Sequence, residues 1–371
     1  MTDLLYAELE QEVRGNVRHL LEQRAPLSRM MSRLDSAESD GRALAPSESY
    51  DRSLWRSLAT EMGLAGMAVP EQLGGAGASW RETAVVLEEL GRSVAPVPFL
   101  SSAVVATAAL LHISRADLLA QLAAGDRIAV LAVPFSAGPA VPAPTVSVVD
   151  GRLTGQVTSV ADGLAADLML VPVPDGLYLV EADAAGVSRS AVTTLDMTRP
   201  LADLSLTGVT GSLVCAGADA TEAVATGLTV GAALLASEQL GLADWCLSTT
   251  VEYVKVRHQF GRPVGSFQAL KHRLADLWVD LTQARAVARY AAGCAAAGDP
   301  DLPLAAALAQ AFCAPVAVKA AEECVQLHGG IGFTWEHPAH HYLKRAKSAA
   351  LALGTPDQHR ARLAGLVDLP V

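Results

Sequence analysis

The feature that most constrains the fold of this 371-residue chain is its residue pattern, which changes from helical to strand-like and back again. Up to about residue 124, apolar residues recur every three or four positions, which predicts helices. From about 126 to 217, short runs rich in Val, Leu and Thr are separated by Gly, Pro and Asp, which predicts strands. Long helical patterns then return and continue to the C-terminus. An α–β–α order is therefore expected.

This order predicts an α+β fold in three domains. We place an N-terminal helical domain at 1–124, a middle β-barrel or β-sandwich domain at 125–218, and a C-terminal bundle of long helices at 219–371. One long helix is expected over about 219–257. Ser266 is expected to N-cap the next helix, whose leucines recur on one face.

Composition limits the function. The formal charge is -11 and 51% of the residues are hydrophobic, so a large core is expected and no basic stripe is available for nucleic acid. The N-terminal residues include early acids, and no uninterrupted apolar run approaches ~18–20 residues. A cytoplasmic protein without a membrane segment is expected.

Five cysteines are widely spaced and form no C-x-x-C pair, which favours a reducing compartment and structural thiols that act as small apolar side chains. They are Cys215, Cys246, Cys294, Cys313 and Cys324.

A histidine cluster, His337, His340 and His341, has spacings that suit a metal, but only Glu336 lies nearby to complete a ligand set. We therefore expect the N-terminus of a helix there and no metal site. The glycine-rich segment 74–79 does not follow a clear strand, so we interpret it as a loop and not as a dinucleotide site.

The most informative segment surrounds Arg257. This arginine is expected to close a long helix, Gly261 and Pro263 break the pattern, and Phe267 with Gln268 start the next helix. An arginine at such a boundary can hold a pyrophosphate through its bidentate fork. A helix junction with an exposed arginine has the same pattern, so both interpretations stay open on spacing alone.

At these residues the chain resembles the acyl-CoA dehydrogenase family, and the resemblance extends over nearly its full length. The pattern Y-x-x-x-R-x-Q-F-G-x-P is matched by Tyr253, Arg257, Gln259, Phe260, Gly261 and Pro263, and F-Q-x-x-x-H-x-L-A-D by Phe267, Gln268, His272, Leu274, Ala275 and Asp276. The pattern Q-x-x-G-G-x-G is matched by Gln326, Gly329, Gly330 and Gly332.

The resemblance implies that the C-terminal bundle is a four-helix bundle, and it implies FAD held between subunits of a homotetramer or heterotetramer. The residues that it places against FAD are Arg257, Gln259, Phe260, Gln268, Gln326, Gly329 and Gly330. It also implies an acyl-CoA substrate and an electron-transfer flavoprotein or similar electron acceptor.

The family's reaction needs a carboxylate base, which the resemblance places at either of two positions. Here those positions hold Leu353 and Gly231, and neither residue can accept a proton. Glu238 lies two helical turns beyond Gly231, on roughly the same face. It is either a relocated base or a helix carboxylate satisfied by its neighbours.

We therefore expect a subunit that lacks a base and works with a paralogous acyl-CoA dehydrogenase subunit, as in actinobacterial heterotetramers associated with steroid side chains or ring fragments. No tryptophan occurs between Trp80 and Trp245, which weakens the expected flavin-ring half of the site. The alternatives are a self-sufficient enzyme that uses Glu238, a non-catalytic acyl-CoA-binding or scaffold protein, and a flavin monooxygenase on the same fold.

Overall fold

The computed structural model of the chain describes residues 4–39 and 50–368, with the backbone alone described at 34–39. Its N-terminal part is helical, as expected. The helices are α1 (Glu8–Arg24), α2 (Leu27–Ser39), α3 (Arg52–Arg56), α4 (Trp80–Arg92), α5 (Thr107–His112) and α6 (Ala116–Ala123). Two π-helical segments, Ser57–Glu61 and Phe99–Ala106, continue α3 and lead into α5.

The glycine-rich segment 74–79 is a loop, as predicted, and it ends on the N-cap of α4. The Ser79 hydroxyl accepts a hydrogen bond from the Arg81 N–H at 3.0 Å, while the Glu82 carboxylate accepts one from the Ser79 N–H at 2.8 Å. This reciprocal capping box satisfies N–H groups that the first helical turn leaves free.

The middle part is a sandwich of two four-stranded sheets. One sheet has the order β1 (Ala129–Leu131), β4 (Leu168–Val173), β5 (Gly176–Glu181) and β8 (Ser212–Ala216); the other has β2 (Val146–Val149), β3 (Arg152–Ala161), β7 (Leu201–Val209) and β6 (Val187–Val192). Only β1 and β4 pair in parallel among these described strands, with Ala129 opposite Leu168. The sandwich encloses its own apolar core.

The C-terminal part is a helical bundle. It contains α7 (Gly217–Val256), α8 (Gln268–Ala297), α9 (Leu302–His328), α10 (Ala339–Ala349) and α11 (Pro356–Leu366), with a short hairpin of β9 (His258–Gln259) and β10 (Arg262–Pro263) between α7 and α8. By length and composition α7 and the segment Leu302–Phe333 could cross a membrane, but most of each apolar window is buried inside the fold. Both are therefore core helices.

The predicted α–β–α order, the sandwich and the C-terminal bundle are confirmed. The domain limits stay predictions: the limit after 124 falls between α6 and β1, and the limit after 218 falls just inside the start of α7. The predicted N-cap at Ser266 is wrong. Ser266 belongs to a 3-10 turn, Phe267 is the N-cap residue of α8, and no side chain caps that helix.

The crossing of α4 and α7 is close because glycines face backbone atoms there. A Cβ atom at Gly241 would lie 1.7 Å from the Glu88 carbonyl oxygen, and one at Gly91 would lie 2.0 Å from the Glu238 carbonyl oxygen. Neither helix can carry a side chain at these points without moving apart. The crossing fixes α7, which carries several candidate site residues.

We predict that Gly241→Ala lowers the free energy of unfolding by about 3 kcal/mol, because overpacking forces two backbones apart. Urea denaturation would measure the change. Gly15→Ala is the matched control, since nothing lies within 4 Å of a Cβ at that helical position. The control should be neutral or stabilising by about 0.5–1 kcal/mol. Equal urea midpoints for Gly241→Ala and the unchanged chain would contradict the prediction.

Candidate active site

The first candidate motif lies where α7 ends and α8 begins. Arg257 is the C-cap residue of α7, and the β9–β10 hairpin follows it. Phe260, in the turn of this hairpin, is 90% exposed and has a φ of +53°. An exposed aromatic side chain on a left-handed backbone is typical of a binding surface. Gln259, Arg257 and Gln268 are exposed as well.

The second candidate motif follows the end of α9. Gln326, Gly329 and Gly330 are all exposed, and Gly329 ends the helix with a φ of +61°. The Tyr253 hydroxyl donates to the His328 carbonyl oxygen at 3.3 Å, and the two rings stack with centroids 4.4 Å apart. Since Tyr253 belongs to the first motif, this contact brings the two motifs to one end of the bundle.

This end of the bundle suits an anionic ligand. Arg257 makes no ion pair with the other described residues, so none of them neutralises its guanidinium. No side chain caps the N-terminus of α8, where helix N–H groups attract negative charge. Nothing lies within 4 Å of a Cβ built at Gly330, so the backbone there is open to a ligand.

The two positions at which the resemblance places the base lie beside each other. A Cβ atom at Gly231 would be 3.1 Å from Leu353 Cδ1 and 2.7 Å from Val105 Cγ2. Leu353 is buried with a φ of +54°. Its N–H donates to the Phe135 carbonyl oxygen at 2.8 Å, and its carbonyl oxygen lies 2.9 Å from His359 Nε2. An apolar side chain is thus fixed at the point where a base would be needed.

The space beside Leu353 is nearly filled. A cavity of about 30 Å³ remains between the π-helical segment Phe99–Ala106, the end of β1 and α7. Its lining includes Leu100, Ser101, Val105, Phe135, Leu228 and Leu353 and contains no carboxylate. A volume of this size has room for a water molecule. The residues beside Leu353 therefore leave little free space in this structure.

Glu238 lies in a buried ion cluster and not in this cavity. Arg199 Nη2 donates to Glu238 Oε2 at 2.5 Å, and Arg345 Nε donates to Glu238 Oε1 at 3.0 Å. Glu238 is buried, and burial alone would raise its pKa, but the two arginines hold that pKa below its usual value. With both oxygens engaged by cations, Glu238 is a structural carboxylate and a poor proton acceptor.

The ion cluster extends into the other two parts of the chain. Arg345 Nη1 donates to Thr198 Oγ1 at 3.0 Å and lies 3.4 Å from Asp196 Oδ2, while Arg345 Nη2 donates to the Ala95 carbonyl oxygen at 3.2 Å. Arg345 is buried, so these contacts replace its hydration. The cluster joins N-terminal, middle and C-terminal residues around one buried guanidinium.

A further buried acid lies near the cluster. Asp162 accepts a hydrogen bond from the Ser101 hydroxyl, and Ser101 lines the cavity beside Leu353. Burial raises the pKa of Asp162 to about 6, although the Ser101 hydrogen bond and the arginines lower it in part. Asp162 therefore titrates near pH 6 in the folded chain.

Of the three clustered histidines, His340 and His341 pack against Trp335, whereas His337 packs against His328. The His340 and His341 rings have centroids 3.9 Å apart, and the His340 ring meets Trp335 edge-on at 4.5 Å. Burial lowers the pKa of His337 and of His340 to about 4, and that of His341 to about 3, so all three are neutral at pH 7. Within residues 4–39 and 50–368, no group of three or more His, Cys, Asp or Glu is arranged to hold a metal ion.

Sequence reasoning missed the ion cluster and the residues that fill the cavity. Asp196 and Arg199 are three residues apart, but Glu238 and Arg345 lie far from them in sequence, so no local pattern indicated the cluster. Phe135 belongs to a proline-rich segment without periodicity. Each acquires its role from contacts between distant parts of the chain.

The chain belongs to the acyl-CoA dehydrogenase family. Residues 8–125 match the acyl-CoA dehydrogenase N-terminal domain, and residues 221–366 match the acyl-CoA dehydrogenase C-terminal domain. Members of this family use FAD, and structural neighbours include a member solved with FADH2. The predicted family, fold and cofactor are confirmed.

The chain is also similar to individual members of the family. The chain is 37% identical over 341 residues to the acyl-CoA dehydrogenase IpdE2 of Mycolicibacterium smegmatis, covering 92% of this chain and 96% of that protein. Its fold matches the ChsE4-ChsE5 complex of Mycobacterium tuberculosis with a TM-score of 0.82 at 29% identity, covering all of both chains. It also matches a Tcur3481-Tcur3483 steroid ACAD variant with a TM-score of 0.82 at 32% identity, covering 97% of this chain and 98% of that one.

We predict that Glu238→Gln lowers the free energy of unfolding by about 3–5 kcal/mol, because it leaves two buried arginines without their shared carboxylate. Chemical denaturation would measure the loss. Glu322→Gln is the control, since Glu322 pairs with Lys347 at 2.7 Å on the surface and should contribute less than about 1 kcal/mol. Equal losses in the two variants would count against a structural role for Glu238.

Asp162→Asn should change how stability depends on pH. Because the pKa of Asp162 is raised to about 6 in the folded state, its favourable contribution is complete below the unfolded value of 3.8 and is lost as pH rises through 6. The amide that replaces the carboxyl group does not titrate, so the variant should gain on the order of 2 kcal/mol relative to the unchanged chain between about pH 4.5 and pH 7.5. If the free energies of unfolding of the variant and the unchanged chain differ by the same amount at every pH in this range, the pKa of Asp162 is not raised.

Proposed function

We propose that this chain is the subunit without a catalytic base in a heteromeric FAD-dependent acyl-CoA dehydrogenase. The observation that carries the proposal is the position of Leu353 beside Gly231, next to a cavity of about 30 Å³ that no carboxylate lines. Proton abstraction next to a thioester carbonyl requires a base in a pocket that holds the substrate. The described residues of this chain provide neither at that point.

The chain's role toward the cofactor would be to bind it from the surface. Arg257 and Gln326 would face the phosphates, Gly329 and Gly330 would let the backbone approach them, and Phe260, Gln259 and Gln268 would contact the remainder. When bound, FAD would accept the hydride from the acyl chain. Since all seven residues are exposed, a second chain has to cover the cofactor and exclude water.

The proposed partner is a paralogous acyl-CoA dehydrogenase subunit that supplies the base and the flavin-ring pocket. Support comes from the ChsE4-ChsE5 neighbour, which is a complex of two different chains. The steroid ACAD neighbour supports CoA thioesters of steroid side chains or ring fragments as substrates. We further propose a cytoplasmic location and an electron-transfer flavoprotein or similar acceptor.

The alternatives are less well supported. A self-sufficient enzyme would need Glu238 as its base, but both oxygens of that carboxylate are held by arginines. A non-catalytic acyl-CoA-binding protein would need an acyl pocket, and the cavity beside Leu353 is too small for one. A homotetramer of this chain alone would have Leu353 and Gly231, and therefore no base, at these positions in all four subunits.

The direct test is to purify this chain alone and after co-expression with a paralogous subunit encoded nearby. We predict dehydrogenation of a steroid acyl-CoA by the complex and none by this chain alone, with flavin reduction as the readout. Replacing the partner's candidate base by Gln should abolish turnover, whereas Glu322→Gln in this chain should not. Full turnover by this chain alone would overturn the proposal; an assembled complex that never reduces flavin would favour a scaffold.

A second prediction concerns the surface for FAD. Gly330→Val should raise the Kd of the assembled complex for FAD at least about tenfold, because the new side chain would occupy space needed by the phosphates. The fold should survive, since nothing lies within 4 Å of a Cβ at this position. Gly365→Val, at an equally open site on α11, is the control and should bind FAD normally. Unchanged FAD binding by Gly330→Val would remove this turn from the cofactor surface.

A further inference from the structure

The N-terminal part of the chain contains another cavity, which shares no described lining residue with the cavity beside Leu353 or with the two FAD motifs. Its volume is about 230 Å³, which is room for several water-sized groups. Three segments line it: the start of α2, the residues that lead into α3, and the loop after α4. The Asp51 N–H donates to the Pro96 carbonyl oxygen at 2.9 Å, which fixes two of these segments against each other. Nothing in the proposed dehydrogenation uses this cavity.

The described lining of this cavity is basic although the whole chain is acidic, with a formal charge of -11. Arg33 and Asp51 carry opposite charges, so the excess positive charge comes from Arg29 and Arg52. At physiological ionic strength, exposed charges more than about 8 Å apart are largely screened from each other. The arginines of the lining therefore determine the potential inside the cavity, and the acids elsewhere on the surface have little effect on it.

Asp51, the acid among the described lining residues, is engaged by the backbone of its own helix. Its carboxylate is the N-cap of α3, where Oδ1 accepts hydrogen bonds from the Leu54 N–H at 2.9 Å and from the Ser53 hydroxyl at 2.8 Å. Asp51 forms no ion pair with another described residue. This carboxylate therefore leaves the guanidinium groups of Arg29 and Arg52 open to another anion.

Two arginines and a buried hydroxyl in this lining lack an acceptor of matching strength. Arg29 Nη1 donates to the Arg24 carbonyl oxygen at 3.2 Å, and the Arg52 guanidinium lies over the Tyr50 ring, 5.2 Å from its centroid. Neither arginine forms an ion pair with another described residue. Tyr50 is only 5% exposed, and its hydroxyl makes no hydrogen bond with the described residues. Because buried polar groups are normally hydrogen-bonded, this hydroxyl indicates an acceptor inside the cavity.

We propose that this cavity binds a compact phosphate group, either inorganic phosphate or the phosphate of a small monoester. A phosphate monoester carries about −1.5 to −2 charges at pH 7, which matches the two guanidinium groups of Arg29 and Arg52 better than a single carboxylate does. Arginine forks donate paired hydrogen bonds to phosphate oxygens, and the Tyr50 hydroxyl would donate one more. The proposal does not rest on the proposed function, because it concerns a separate cavity.

The test is isothermal titration calorimetry of the full-length chain with inorganic phosphate and with glycerol 3-phosphate, at matched ionic strength. We expect saturable binding at one site per chain, and the probe that binds more tightly shows whether free phosphate or an ester is the ligand. Arg52→Gln should raise the Kd at least about tenfold, because a charge-assisted contact is lost from an exposed side chain. Tyr50→Phe should raise it at least about threefold, because only the hydroxyl is removed.

Two control variants separate this cavity from other positive surfaces of the chain. Arg360→Gln removes the same charge from α11, where Arg360 pairs with Asp357 at 2.6 Å outside the cavity, and should leave the Kd for phosphate unchanged. Gly330→Val, which alters the proposed FAD surface, should leave it unchanged as well. No saturable binding of either probe by the unchanged chain up to about 10 mM would overturn the proposal. So would an unchanged Kd in Arg52→Gln, or an equal rise in either control.

Discussion

The ion cluster around Arg345 is the interaction on which the rest of the structure depends. Its guanidinium contacts Ala95 in the loop after α4, Asp196 and Thr198 in the middle part, and Glu238 on α7. Such a cluster is costly to desolvate, and removal of one member leaves a buried charge without a partner. The cluster therefore holds the three parts of the chain in one arrangement, because moving any one of its charged side chains away would leave the others unpaired.

The same cluster decides what α7 can do. Glu238 is the acid that sequence spacing offered as a relocated base, yet its carboxylate holds the parts of the chain together. Nearby, Leu353 and Phe135 line a cavity of about 30 Å³. The two motifs that are proposed to contact FAD lie on an exposed surface. The geometry therefore favours a chain that completes a site belonging to another subunit.

Most of the secondary structure was predictable from the local pattern of residues. Periodicity located the helices and strands, and the breakers Gly261 and Pro263 located the junction after α7. The resemblance to the family identified Leu353 and Gly231 as the positions at which to look for a base, and both residues are apolar. Contacts between distant residues were not visible in the sequence: the partners of Glu238, and the side chains that fill the cavity beside Leu353. The cap of α8 was mispredicted because a 3-10 turn takes up Ser266 before the helix begins.

The most direct test of the central claim is the ratio of FAD to protein chains in the assembled enzyme, measured by native mass spectrometry. If the flavin-ring region of this chain is filled, the complex with its paralogous partner should contain one FAD for each pair of unlike chains, and this chain alone should hold none tightly. One FAD for every chain, in an active assembly of this chain only, would contradict the account.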